Sequence, residues 1–326
     1  MKLQPFAKAA WGVLAYSIAV ILWGAYVRIS FSGDGCGDHW PLCRGEIIPT
    51  APSVKTLIEF SHRGSSGLLG ILVLVLAVWA FRSFPKGSIV RVGAAVSFLF
   101  IIIESLLGAG LVKFGLVNKN DSVSRAVVMS LHLVNTLILV ASTALTAWWA
   151  SGGKPLRLRD QKGLALALLA GLVATIILGV SGAVTALGDT LFPVKSLAEG
   201  MQQDFSPTAH VLLRLRVFHP VIAVVTAAYV IFVAVVAGLS RPGRTTSQLS
   251  RLLIGLLVAQ ISIGSLNLYL LAPLWLQIFH LLVADLVWIT LVLFSASALS
   301  AEASVSDYRA VVSGAPTSST ESPALN

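Results

Sequence analysis

Long apolar runs alternate with short polar segments along the whole chain, at 11–31, 57–81, 92–112, 126–149, 163–187, 211–238, 251–271 and 274–298. Each holds the roughly 20 helical residues needed to cross a hydrocarbon layer ~30 Å thick, so the pattern predicts eight transmembrane helices. The first run follows Lys2 and Lys8 but is longer than the ~7–15 residues of a signal-peptide core, and it is expected to stay as a helix. The stretch 300–326 is rich in Ser, Ala and Pro, has no apolar face, and is expected to be a disordered cytoplasmic tail.

Composition agrees with the pattern. Hydrophobic residues make up 56% of the 326 and charged residues 11%, against about 25% charged in a soluble domain, which excludes an ordinary soluble fold. Basic residues near helix ends set orientation. With a cytoplasmic N-terminus, 13 of the 23 Lys and Arg fall inside and 10 outside. Five of the outer ones, Arg28, Arg63, Arg125, Arg214 and Arg216, sit at helix ends beside histidines; without them the inside bias becomes pronounced. The net charge of +9 therefore reflects topology and an anionic ligand, and gives no reason to invoke nucleic acid.

The two halves resemble one another. ILWGAYVRISFSGD (21–34) aligns with IILGVSGAVTALGD (176–189), pairing Gly24 with Gly179 and Gly33-Asp34 with Gly188-Asp189. Glu104 and Gly108 match Gln260 and Gly264, His62 matches His219, and His132 matches His280. With four helices per half, such repeats are parallel, related by an axis along the membrane normal. The expected fold is thus an all-α membrane protein: eight transmembrane helices forming two parallel pseudo-repeated four-helix bundles, 1–150 (with an outer loop over 32–56) and 151–299.

His62, His132, His219 and His280 each fall five to eight residues into an even-numbered run, all on the outer side, which puts the four imidazoles at one depth. A single histidine in an apolar helix reads first as a packed core residue. Four at one level, paired by the repeat, read as two pairs of axial ligands for two b-type haems, held without the Cys-x-x-Cys-His attachment. The five arginines then suit the anionic propionates, with interfacial snorkelling as the plain alternative.

The halves differ in one place. Glu59 stands three residues before His62 on one helical face, and the repeat puts Arg216 three before His219. A carboxylate beside one haem site suits charge stabilisation or proton removal, suggesting a catalytic site in the first half and a redox haem in the second. Alternatively Glu59 answers the helix macrodipole. Glu104, at mid-membrane, reads as a hydrogen-bonded acid or a proton relay, Asp285 as a packing group, and His39 and His210 as solvated loop residues.

The loop GDGCGDHWPLCR (33–44) carries the only cysteines, Cys36 and Cys43. Two thiols do not close a tetrahedral zinc site. Outside the membrane a structural disulfide is the leading reading, with a reversible redox role as the alternative. The loop joins the first two helices and is expected to hang above Glu59 and His62 as a lid.

Taken together, Gly24-x-Tyr26-Val27-Arg28, the Gly33–Cys43 loop with Trp40-Pro41, Glu59-Phe60-Ser61-His62-Arg63 and the single later histidines make residues 11–298 resemble the heme A synthase family. That resemblance implies an oxidoreductase that oxidises the C8 methyl of heme O to a formyl group through a hydroxymethyl intermediate, giving heme A for terminal oxidases. It implies that Glu59 acts on the methyl by stabilising a carbocation that water captures. His62 and His132 would border the substrate haem, and His219 and His280 would ligate a heme b that passes electrons. A bacterial cytoplasmic (inner) membrane location follows, with both termini inside and the haem sites toward the outer side. Heme O synthase is an expected partner besides the lipid bilayer, and homo-oligomerisation is left open. Some relatives carry a second cysteine pair between helices 5 and 6; residues 188–210 contain none. A di-haem quinol cytochrome explains the histidines but not Glu59 or the loop, and a repeat-built transporter explains neither.

Overall fold

The computed structural model describes residues 4–158, 161–241 and 243–300. Among these the regular elements are helices: α1 (Pro5–Ile29), α2 (Val54–Ser83), α3 (Ile89–Lys113), α4 (Val123–Ala150), α5 (Lys162–Leu191), α6 (Leu197–Asp204), α7 (Val211–Arg216), α8 (Phe218–Ser240), α9 (Arg244–Tyr269) and α10 (Leu274–Ser300). Counting α7 and α8 as one span, eight segments are long and apolar enough to cross a membrane. The expected tail, together with Lys2, Arg159 and Arg309, lies outside the described residues.

Local chemistry places the helix starts. Ser53, Ser88 and Ser122 cap α2, α3 and α4, each hydroxyl accepting from a first-turn backbone N–H. α1 instead opens on Pro5, whose missing N–H is one of the donors a helix start leaves unpaired anyway. The sixth span is interrupted at Val217, between α7 and α8, with helical dihedrals kept there. Pro220 has no N–H to give the carbonyl of Arg216 four residues back, so the hydrogen-bond ladder breaks there. The interruption lies two residues before His219.

Helix α6 was not expected, although its signal is present in the sequence. Ser196 and Glu199 have capping-box spacing, and the Ser196 hydroxyl accepts from the Glu199 N–H at 3.2 Å. Within an eight-residue polar segment, that local cue is weaker than the hydropathy that marks the spans.

Each set of four spans closes into a ring: α1 touches α2 and α4, and α3 touches α2 and α4, while α5 and α9 each touch α8 and α10. The rings meet where α4 packs on α5 and where α10 packs on α1 and α4. There Leu14, Leu137, Val140 and Ala144 interlock with Trp288, Ile289, Val292 and Leu293, and the Trp288 indole donates to the Leu137 carbonyl at 2.8 Å. Lipid tails are as apolar as leucine, so close packing and such hydrogen bonds hold helices together in a membrane. The most buried span is α10, consistent with its place between the rings.

Candidate functional site

The four histidines fall near the starts of their spans: His62 eight residues past Val54, His132 nine past Val123, His219 eight past Val211 and His280 six past Leu274. His62 and His132 stand on α2 and α4 of the first half, and His219 and His280 on α8 and α10 of the second.

Each ring leans on a glycine of the preceding span. A Cβ on Gly24 would lie 3.0 Å from His62 Cε1, on Gly182 3.0 Å from His219 Cε1, on Gly264 3.1 Å from His280 Cε1, and on Gly108 3.7 Å from His132 Nε2. Glycine here is a matter of space for the imidazole. The structural counterpart of Gly24 is thus Gly182, one turn beyond the Gly179 of the sequence alignment, and Gly179 faces Leu133 and Leu137 instead. A pattern match within one helix tolerates a slip of one turn; the histidine contact does not.

The remaining ring nitrogens differ. His132 Nδ1 lies 2.8 Å from Glu104 Oε1, and His219 Nδ1 lies 2.9 Å from the Ser181 hydroxyl. Those of His62 and His280 are buried without a hydrogen-bond partner. Gln260, the counterpart of Glu104, places its amide nitrogen 3.3 Å from His280 Nε2.

Glu59 is 3% exposed and saturated with donors. Its Oε2 accepts from the Cys36 N–H at 2.7 Å, and its Oε1 accepts from Arg63 Nε at 3.1 Å and Nη2 at 2.5 Å. The second guanidinium arm of Arg63 donates to the carbonyls of His39 (2.5 Å) and Leu42 (2.7 Å). Glu59 and Arg63 together therefore clamp the Cys loop onto α2. Sequence spacing aims the Glu59 carboxylate at the pocket beside His62; the fold turns it to the loop and Arg63.

The loop is closed by a Cys36–Cys43 disulfide, with both cysteines buried. The thiols are thus unavailable to a metal. Gly35 packs so tightly on the start of α2 that a Cβ there would collide with the Lys55 carbonyl oxygen, and the Gly35 carbonyl accepts from the Thr56 hydroxyl at 2.9 Å. Trp40-Pro41 is a cis peptide. His39 is exposed beside Asp38, as expected. His210 is more than a solvated loop residue: its Nδ1 caps α7, it stacks on Phe192, and it lies 3.9 Å from Asp121 of the first half.

All five arginines have protein partners. Arg28 crosses to the second half, donating to the Ala186 carbonyl (2.6 Å) and the Thr190 hydroxyl (2.7 Å) of α5. Arg125 donates to the carbonyls of Asn118 and Asn120 at 2.6 Å each, leaving its buried Nε free. Arg216 pairs with Asp204 (2.6 Å) and Asp189 (3.1 Å), and Arg214 donates to the Pro207 carbonyl. The acids of this second-half network, Asp189 and Asp204, do not stand out as its members in the sequence, because nothing local links them to Arg216.

A family model described as cytochrome oxidase assembly protein, COX15-CtaA, matches residues 7–292. The chain belongs to this family. A Thermus thermophilus protein named protoheme IX farnesyltransferase is 53% identical over 290 residues, 89% of this chain and 48% of that protein. The heme A synthase of Halalkalibacterium halodurans is 38% identical over 187 residues, 54% of this chain and 59% of its own length. That of Exiguobacterium sibiricum is 42% identical over 123 residues, 38% of this chain and 39% of its own. The chain thus spans about half the length of the Thermus relative it matches over 290 residues. Its eight apolar spans make this member of the cytochrome oxidase assembly family a multi-pass membrane protein.

Proposed function

We propose that this protein is a heme A synthase, converting the C8 methyl of heme O to a formyl group by way of a hydroxymethyl, in the cytoplasmic membrane of a bacterium with its histidines toward the outer side. The observation that carries the reading is the difference at one matched position: a buried carboxylate, Glu59, stands three residues before His62, where a buried guanidinium, Arg216 paired with Asp189 and Asp204, stands three before His219. A di-haem electron carrier has no use for that carboxylate.

His62 and His132 would hold the substrate haem, and His219 and His280 a heme b. The fit is supported by two imidazoles in each half, by glycines that make room for them, and by His132 and His219, whose Nδ1 contacts leave Nε2 for iron. Bound heme b supplies one-electron transfer. Arg28, Arg63, Arg125, Arg214 and Arg216 are the propionate candidates. Arg125 offers a buried, unpaired Nε, and the others would exchange a present partner for a propionate.

Glu59 is better suited to hold negative charge than to take up a proton, since both of its oxygens already accept hydrogen bonds. Once Arg63 has exchanged Glu59 for a propionate, the carboxylate left on the Cys36 N–H would favour positive charge developing on a substrate carbon.

Heme O synthase is a proposed neighbour. A relative twice as long, named as a farnesyltransferase, shares this chain's sequence over about half its length, which supports a physical link between the two steps. The decisive assay extracts haems from protein purified out of cells supplying heme O. Heme B together with heme A or its hydroxylated precursor is expected; heme B alone, or no haem, would sink the proposal.

Two variants probe the parts. Cys36→Ser with Cys43→Ser removes a cross-link whose short loop is worth about 2–3 kcal/mol. Heme A yield should fall while heme b at His219 and His280 persists; equal loss of both haems would show that the loop supports the whole fold. Gly182→Ala puts a methyl 3.0 Å from His219 Cε1 and should cost the second haem only, whereas Gly108→Ala, at 3.7 Å from its histidine, should be tolerated. Haem content per chain reads both.

A further inference from the structure

Of the four histidines, His132 alone is backed by a carboxylate. Glu104 Oε1 lies 2.8 Å from His132 Nδ1 and also accepts from the Thr136 hydroxyl, and Oε2 accepts from Asn135 Nδ2 at 2.6 Å. The Asn135 amide is itself fixed by the Phe100 carbonyl at 2.9 Å. Asn135 and Thr136 are buried. The Thr136 hydroxyl is shared between Glu104 Oε1 and the His132 carbonyl, at 2.9 Å from the latter, while Asn135 donates to Oε2. A carboxylate held this way accepts from His132 Nδ1–H and leaves the Nε2 lone pair free.

A carboxylate behind a metal-ligating imidazole fixes its tautomer and raises its basicity as a ligand. In the second half the corresponding residue is the neutral Gln260, and its amide approaches the Nε2 side of His280 rather than Nδ1. His219 meets only a hydroxyl. One site is therefore built with charge behind its ligand and the other without.

We infer that Glu104 is a positioning residue that makes His132 the strong-donor ligand of the first-half haem, lowering that haem's reduction potential relative to the second-half haem. One-electron transfer from a haem held by His62 and His132 to one held by His219 and His280 would then be downhill. This rests on the haem assignment proposed above. It also gives Glu104 a role distinct from that of Glu59: Glu104 acts through His132 and on the iron, while Glu59 acts on the substrate carbon.

The test is spectroelectrochemical titration of both haems in protein purified from cells supplying heme O. Glu104→Gln keeps an acceptor for Nδ1–H and removes the charge. It should raise the first-half potential and leave the second unchanged; each tenfold loss of preference for the ferric form corresponds to about 59 mV. First-half haem should also bind about 10–100-fold more weakly, the usual cost of losing such an outer partner. Thr136→Val removes one anchor of Glu104 at constant shape and should shift the potential in the same direction by less, which decides the matter if Glu104→Gln does not fold. An unchanged first-half potential in a variant that still holds its haem overturns the inference. The underlying assignment fails separately, if His132→Ala leaves the haem content as it was.

Discussion

Glu59→Gln should bind both haems and yet make at least about 100-fold less heme A, the scale of losing one preorganised charge at a reacting centre. Glutamine is isosteric and still accepts from the Cys36 N–H, so the lid keeps that contact. What disappears is the negative charge now held by Arg63 and Cys36 within one turn of His62. Quantifying heme O, the hydroxylated precursor and heme A by chromatography, alongside total haem per chain, separates a chemical defect from a folding defect. Full heme A output from this variant would remove Glu59 from the reaction. If haem is lost in proportion to activity, Glu59 is a structural clamp for the lid and nothing more.

The second large effect concerns the histidine pairs. His219→Ala or His280→Ala should remove the heme b spectrum, leave substrate haem bound, and bring conversion below detection, because electrons from the substrate then have no acceptor. His62→Ala or His132→Ala should do the reverse, sparing heme b and losing the substrate haem. Optical spectra of each purified variant, with extracted haems identified, read the outcome. Loss of both haems from every variant would mean that the chain holds one shared site, not two.

These expectations owe unequal debts to sequence and to fold. The eight spans are legible because a membrane core demands long apolar runs, but their starts move by up to seven residues, α1 opening at Pro5 and α9 at Arg244, because polar first turns and caps such as Ser53 and Ser122 lie outside the apolar runs. The histidine pairing is an expectation that the repeat spacing carries. The glycine cradle is mostly legible: Gly24, Gly108 and Gly264 stand out as repeat anchors, but Gly182 does not, because helical patterns tolerate a slip of one turn. What Glu59 and Arg28 touch is not legible. Their partners, Cys36 at 23 residues and Ala186 at 158, are brought to them by chain reversal and by docking of the two halves. The Cys36–Cys43 bond removes the metal reading of the loop and leaves the staple and the reversible redox role, and Arg63 fastens that loop to α2 through the His39 and Leu42 carbonyls.

The central claim is a conversion, and one measurement meets it directly. Cells that make heme O but lack any enzyme oxidising it are given this chain, and their membrane haems are extracted and followed over time by chromatography and mass. The account predicts that heme O falls as the hydroxylated intermediate and then heme A rise, and that none of this occurs with Glu59→Gln. Unchanged heme O in membranes that contain the folded, heme b-loaded protein would contradict it.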